Sequence, residues 1–138
     1  MATKSAVEPL GFRYSIREPR DEPAHLSVES TVDAVLYIFR RDDTGAWVPV
    51  AAGGISLKAR APATTPGIVI SGLAPEPRAL LILSRTPVTD LAQTGPALTA
   101  AIDRLRAENT ATPLLTDSSG FLVTPRRAAL IVTPLALP

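Results

Sequence analysis

Fourteen prolines and eight glycines interrupt this 138-residue chain. Proline removes a backbone donor and fixes φ, and glycine supplies conformations that other residues avoid, so segments this short suit strands joined by turns better than helices. Residues 11–17 alternate, with Phe12, Tyr14 and Ile16 on one face and Arg13, Ser15 and Arg17 on the other, the period-two pattern of a strand with one wet face. Residues 18–23 are charged and hold two prolines, which predicts a loop, and Leu26 and Val28 then open a second strand. Residues 34–40 are apolar on both faces and rich in β-branched and aromatic side chains, which predicts a central strand covered on both sides.

The run Arg41-Asp42-Asp43-Thr44-Gly45 supplies turn residues before residues 46–50 resume, so a hairpin is expected there, with Pro49 placing its second strand at an edge. Ile55 with Leu57, and residues 68–70, predict two further short strands, and residues 61–65 between them offer no packing face. Residues 78–84 carry four consecutive large aliphatics and predict a buried strand. One segment has helical grammar: Leu98, Ala101, Ile102 and Leu105 recur at i, i+3, i+4 and i+7 opposite Asp103, Arg104 and Arg106. Thr94 can cap this helix, Pro96 suits its first turn and Asn109 can close it. Leu114 and Leu115, a Ser118-Ser119-Gly120 turn, residues 121–123 and residues 126–133 are expected to form a last hairpin. No internal repeat and no second domain is evident.

Composition narrows the function. Hydrophobic residues make up 46% of the chain but only six are aromatic, so the core must be aliphatic, with Trp47 as its one large ring. A chain of this length buries enough surface for one domain without staples. There is no cysteine, which removes disulfides, thiolate metal sites and cysteine nucleophiles and is more typical of a reducing compartment. The formal charge of +1 supplies no field for nucleic acid. Glu8, Pro9, Arg13 and Arg17 interrupt any signal-peptide-like run near the start, and the longest apolar runs, residues 34–39 and 128–132, are far below the roughly 18 residues of a spanning helix. A cytoplasmic protein without membrane association is expected.

Asp43-Thr44-Gly45-Ala46 matches the signature of retropepsin-like aspartic proteases, in which paired carboxylates share a proton. That chemistry needs an apolar strand running directly into the aspartate, whereas Arg40-Arg41-Asp42 precedes it here, so a hairpin turn is the preferred reading and a hydrolase built on Asp43 the disfavoured one. His25 is the only histidine, and neither Ser27, Ser30 nor Ser84 lies in a nucleophile-elbow pattern with which it could form a triad. Asp21, Glu22, Asp42 and Asp43 lack the spacing of a calcium loop, and Gly53-Gly54, Gly67 and Gly72 read as turns, not as phosphate-binding loops. No catalytic, cofactor or metal site is expected. Arg126 and Arg127 could join Arg40 and Arg41 in a basic patch, although stacking aromatics for single-stranded bases are scarce. Leu135 and Leu137 form an apolar tail that must pack back on the sheet or add to a partner's edge. Arg126, Arg127, Leu135 and Leu137 are therefore the candidate partner contacts.

Three stretches, Pro9-Leu10-Gly11-Phe12-Arg13-Tyr14-Ser15, residues 26–47 and residues 80–91, together resemble a bacterial family of domains of unknown function found beside caspase-like peptidase domains, kinases or anti-sigma modules. The resemblance lies in Asp33-Ala34-Val35-Leu36-Tyr37-Ile38-Phe39 leading into Arg41-Asp42-Asp43-Thr44-Gly45-Ala46-Trp47, and in Leu81-Ile82-Leu83-Ser84-Arg85-Thr86-Pro87. The chain departs from that pattern at Val48-Pro49-Val50, where an aromatic is usual. The resemblance implies an accessory, sandwich-like domain and transfers no catalytic residue.

The sequence thus predicts a mostly β, sandwich-like (immunoglobulin-like) fold of antiparallel sheets with one amphipathic helix over about residues 96–108. It predicts a flexible stretch over residues 1–9 and a single β-rich domain over residues 10–138. The expected function is non-enzymatic: protein–protein interaction or a regulatory accessory role, with another protein as partner and no cofactor. The alternative is a substrate or regulator of a neighbouring caspase-like protease, since Leu114-Leu115-Thr116-Asp117 followed by Ser118 presents an acidic residue for cleavage after Asp117.

Overall fold

Alternation of apolar and polar residues resolves into two antiparallel sheets in a computed structural model of the chain, which describes residues 9–17, 25–51, 53–69, 74–110, 115–124 and 130–135. The first sheet has the order β6-β2-β1-β9-β8, from β1 (Gly11–Arg17), β2 (His25–Ser30), β6 (Ala63–Thr64), β8 (Leu115–Thr116) and β9 (Leu122–Val123). The second runs β10-β7-β3-β4, from β3 (Ala34–Arg41), β4 (Trp47–Pro49), β7 (Ala79–Ser84) and β10 (Leu130–Pro134), and β5 (Ile55–Leu57) extends the β4 side of β3.

The two sheets enclose one core. Phe12, Leu26 and Val28 of the first sheet meet Leu36, Ile38, Leu81, Leu83 and Ile131 of the second, all at most 1% exposed. The opposite face of β1 and β2 stays wet, as its alternation predicts: Arg13 lies across from Glu29 and Ser15 across from Ser27, and Arg13 and Glu29 form an ion pair at 2.7 Å.

The second sheet is covered on its other face as well. There Tyr37, Phe39, Trp47, Leu80 and Ile82 pack against Leu91, Leu98, Ile102 and Leu105, carried by a short 3₁₀ turn (Thr89–Ala92) and by α1 (Gly95–Thr110). This is why β3 and β7 lack an apolar/polar alternation: each is buried twice. The apolar stripe of α1 falls where its spacing places it, and the helix extends slightly beyond residues 96–108. Asn109 does not close it but lies within it, donating from Nδ2 to the Leu105 carbonyl one turn back at 2.8 Å. Among the described residues no helix is long and apolar enough to cross a membrane.

Three expectations are corrected. Residues 61–65 do pair: Ala63 and Thr64 lie beside β2, and Thr65 is locked there because its amide donates to the Leu26 carbonyl while its hydroxyl accepts from the Leu26 amide. Hydrogen bonding holds this strand, with only the small side chain of Ala63 packed against the core. Ile68 is buried but makes only an isolated bridge, Val69 is largely exposed, and residue 70 lies outside the described residues. The expected last hairpin divides: β8 and β9 form it alone, while β10 crosses to the other sheet and pairs with β7.

Candidate functional site

The two hairpin turns that carry the chain's candidate aspartates share one circuit. In the β3–β4 turn, Asp42 Oδ1 accepts from the Thr44 amide at 2.9 Å, the Thr44 hydroxyl at 2.6 Å and the Ala46 amide at 3.1 Å. The Asp42 amide donates to the Ala46 carbonyl, the Gly45 amide returns to the Asp42 carbonyl, and Gly45 sits at φ +89°, a conformation natural to glycine. In the β8–β9 turn, Asp117 Oδ1 accepts from Ser119 at 2.8 Å and Phe121 at 3.0 Å. The same two backbone bonds recur, and Gly120 sits at φ +88°. Each turn ends at a buried aromatic beneath a guanidinium: Arg41 lies 4.5 Å from the Trp47 ring centroid and Arg13 lies 4.4 Å from that of Phe121. The shared spacing Asp-x-Thr/Ser-Gly, followed by an aromatic at once in the second turn (Phe121) and one residue later in the first (Trp47), was present in the sequence and is a signal that a search for long repeats misses.

This geometry assigns roles to the candidates. Asp42, not Asp43, closes the first turn, and Asp43 is exposed at its tip. The hydrogen bond from the Thr44 hydroxyl, joined by the amides of Ala46, Thr44 and Gly45 against a desolvation effect, holds the Asp42 carboxyl below its ordinary value. Asp117 is likewise folded back on its own turn. A protease accepting it as the residue before the scissile bond would have to draw away a carboxylate bonded to two backbone amides and extend a tight turn.

His25 donates from Nδ1 to the Thr65 carbonyl at 2.9 Å. The Ser30 hydroxyl donates to the Val32 carbonyl and that of Ser84 to the Thr86 carbonyl, while Ser27 lies on the wet face. The histidine and the serines are thus not brought together. Among the described residues no three histidine, aspartate or glutamate side chains gather at a metal-binding distance. Arg126, Arg127, Leu137, Asp21 and Glu22 lie outside the described residues. Leu135 is 6% exposed, belongs to the core between the sheets and is tied to β7 by its amide, which donates to the Ala79 carbonyl at 3.0 Å. Its side chain packs back into this chain's own core.

An open groove of about 490 Å³ runs between the β3–β4 turn and the start of α1, lined mainly by Thr44, Gly45, Ala46, Pro96, Thr99 and Asp103. Two of its lining residues anchor the neighbouring Trp47, whose amide donates to Thr99 Oγ1 at 3.1 Å and whose indole Nε1 donates to Asp103 Oδ1 at 3.3 Å.

The strand edges are unequal, and the phase of the ladders shows why. Antiparallel partners alternate between bonded and non-bonded pairs, so every second residue of an edge strand turns its N–H and C=O outward. On β4, the bonds Val50 N–H to Ile38 and Asp42 N–H to Ala46 leave Trp47 and Pro49 outward. Proline has no N–H, and Thr99 occupies that of Trp47, so this edge offers no free donor. The edge strands β6 and β8 have two residues each and β5 has three, with one outward residue apiece, Thr64, Thr116 and Ser56. On β10, the Leu135-to-Ala79 bond sets the phase: Ile131 and Thr133 bond to β7, whereas Leu130, Val132 and Pro134 face outward. Leu130 and Val132 thus present two successive N–H and C=O pairs, and among the described residues no group meets them.

Comparison with protein-family models, with characterised proteins and with solved structures finds no match.

Proposed function

We propose that this chain is a non-enzymatic accessory domain that works by binding another protein, taking an extended segment onto the outer edge of β10. The observation that carries this reading is the asymmetry of the edges. Strand addition needs outward N–H and C=O groups in register, and β10 offers two such residues where β4 is blocked and β5, β6 and β8 are too short, with one outward residue each. The Asp-Thr-Gly motif that suggested hydrolysis supports it too, because it lies in a turn closed by Asp42, with Asp43 exposed at the tip. The likeness of residues 26–47 and 80–91 to accessory domains beside caspase-like peptidases and signalling modules gives the same direction, with the cytoplasm as the setting.

The test is affinity capture from the native host with the wild-type chain and with Val132→Pro, which removes one outward N–H and no ladder bond. The reading expects a protein retained by the wild type and lost by the variant, with the circular-dichroism spectrum unchanged. Equal retention by both would remove β10 from the interface. A peptidase activity abolished by Asp43→Ala would overturn the non-enzymatic reading.

A further inference from the structure

We infer that the segment received by the β10 edge is the same edge of a second copy of this chain, the two β10 strands pairing antiparallel about a twofold axis at Ile131. This rests on the reading of β10 as the interaction edge and names its occupant. The argument is one of register. With the axis at Ile131, Leu130 of one copy lies opposite Val132 of the other, and both are outward residues by the phase set at Leu135. Each N–H then meets a C=O, giving four hydrogen bonds and satisfying all the outward groups of Leu130 and Val132 on both copies.

Moving the axis to Val132 is worse. Leu130 would then face Pro134, which has no N–H and whose carbonyl lies 3.3 Å from Thr133 Oγ1 and 3.5 Å from the Tyr14 hydroxyl. The proline therefore acts as a register stop. Charge does not oppose the pairing: β10 reads Leu-Ile-Val-Thr-Pro, without the lysine that commonly guards a free edge, and the whole chain carries +1. Leu130 and Val132 are half-buried at the rim of the helix-covered core, so pairing brings two apolar rims together and joins two sheets into one. An isologous contact of this kind is the commonest way for identical chains to associate.

Light scattering on the full chain over a dilution series, with residue-resolved amide exchange, tests the inference. The mass is expected to fall from about twice 14.5 kDa towards that value on dilution, and Val132→Pro is expected to stay monomeric throughout. Exchange at Leu130 and Val132 should slow by about tenfold or more as concentration rises, while Ile131 and Thr133, already bonded to β7, should not change. A monomer at every concentration, a dimer in which Leu130 and Val132 still exchange fast, or a folded Val132→Pro dimer would each overturn it. If Val132→Pro does not fold, exchange in the wild type decides. A monomer that still captures a different protein through Val132 would overturn the second-copy inference alone, whereas a monomer that captures nothing overturns the β10 reading with it.

Discussion

Replacing Leu36 by alanine tests whether the two cores of this chain are one cooperative unit. Leu36 is fully buried between the sheets, on a strand whose next residue, Tyr37, packs into the core under the helix. Three carbon atoms are lost, at about 0.8 kcal/mol each, and a cavity remains because β5, β7 and the opposite sheet enclose the site; the expected loss is about 3 kcal/mol. With a urea dependence of about 2 kcal/mol per molar, the midpoint should fall by about 1.5 M. Trp47, the only tryptophan, lies in the other core at 2% exposure, so its fluorescence reports on the helix side while far-ultraviolet dichroism reports on the whole backbone. Both transitions should move together. A shift below about 0.5 M, or a Trp47 transition left at its wild-type midpoint, would refute the reasoning: the first would deny the enclosure of Leu36, the second the coupling through β3.

Two adjacent glycines separate strain from packing. Gly53 and Gly54 both have positive φ, but a Cβ on Gly54 would lie 2.7 Å from Val35 Cγ1 and 3.0 Å from Tyr37, whereas nothing lies within 4 Å at Gly53; thermal melts should show Gly53→Ala costing about 1 kcal/mol and Gly54→Ala about 2–3 kcal/mol. The depressed carboxyl of Asp42 stabilises the fold above its unfolded-state value, near 3.8, and that contribution is lost as pH falls through the lower folded-state value. Acid titrations of stability should therefore show a component below about pH 4 in the wild type that is absent in Asp42→Asn. Leu135→Ala should lower stability by about 2–3 kcal/mol in chemical denaturation without changing the association state seen by light scattering, as expected for a side chain buried in its own chain.

Much of the scaffold was legible because hydrophobic period reports burial directly. The alternation at Phe12, Tyr14 and Ile16, the unbroken apolar runs of β3 and β7, and the stripe from Leu98 to Leu105 each name the surface that covers them. What period cannot report is the partner. Residues 126–133 read as a strand, yet nothing local distinguishes a neighbour in the preceding hairpin from β7, whose residues 79–84 lie far back in the chain. The strand at Ala63 and Thr64 was hidden because its attachment runs through the backbone and hydroxyl of Thr65, which leave no apolar trace.

The site shows the same division. Pro49 announced an edge, but the capture of the Trp47 amide by Thr99 depends on how α1 docks. The sequence motif pointed to Asp43, whereas the amides at i+2 and i+4 bond to Asp42, which closes the turn. The tail at Leu135 could pack back on its own sheet or add to a partner's edge, and the burial of its side chain with the bond of its amide to Ala79 shows it packed back.

Burying β3 and β7 on both faces places a burden on the chain before it has folded. The six residues Ala-Leu-Leu-Ile-Leu-Ser of β7 carry no charge and bury every side chain, so until both the first sheet and α1 have docked they form a sticky segment of the kind that seeds aggregation. Arg78 and Arg85 flank it immediately, and Asp33 with Arg40 and Arg41 bound the similar run of β3. Charges at such borders act as gatekeepers, opposing the stacking of like segments from separate chains. The arginines bordering these strands thus guard the passage to the native state, a service that no contact in the finished fold would reveal.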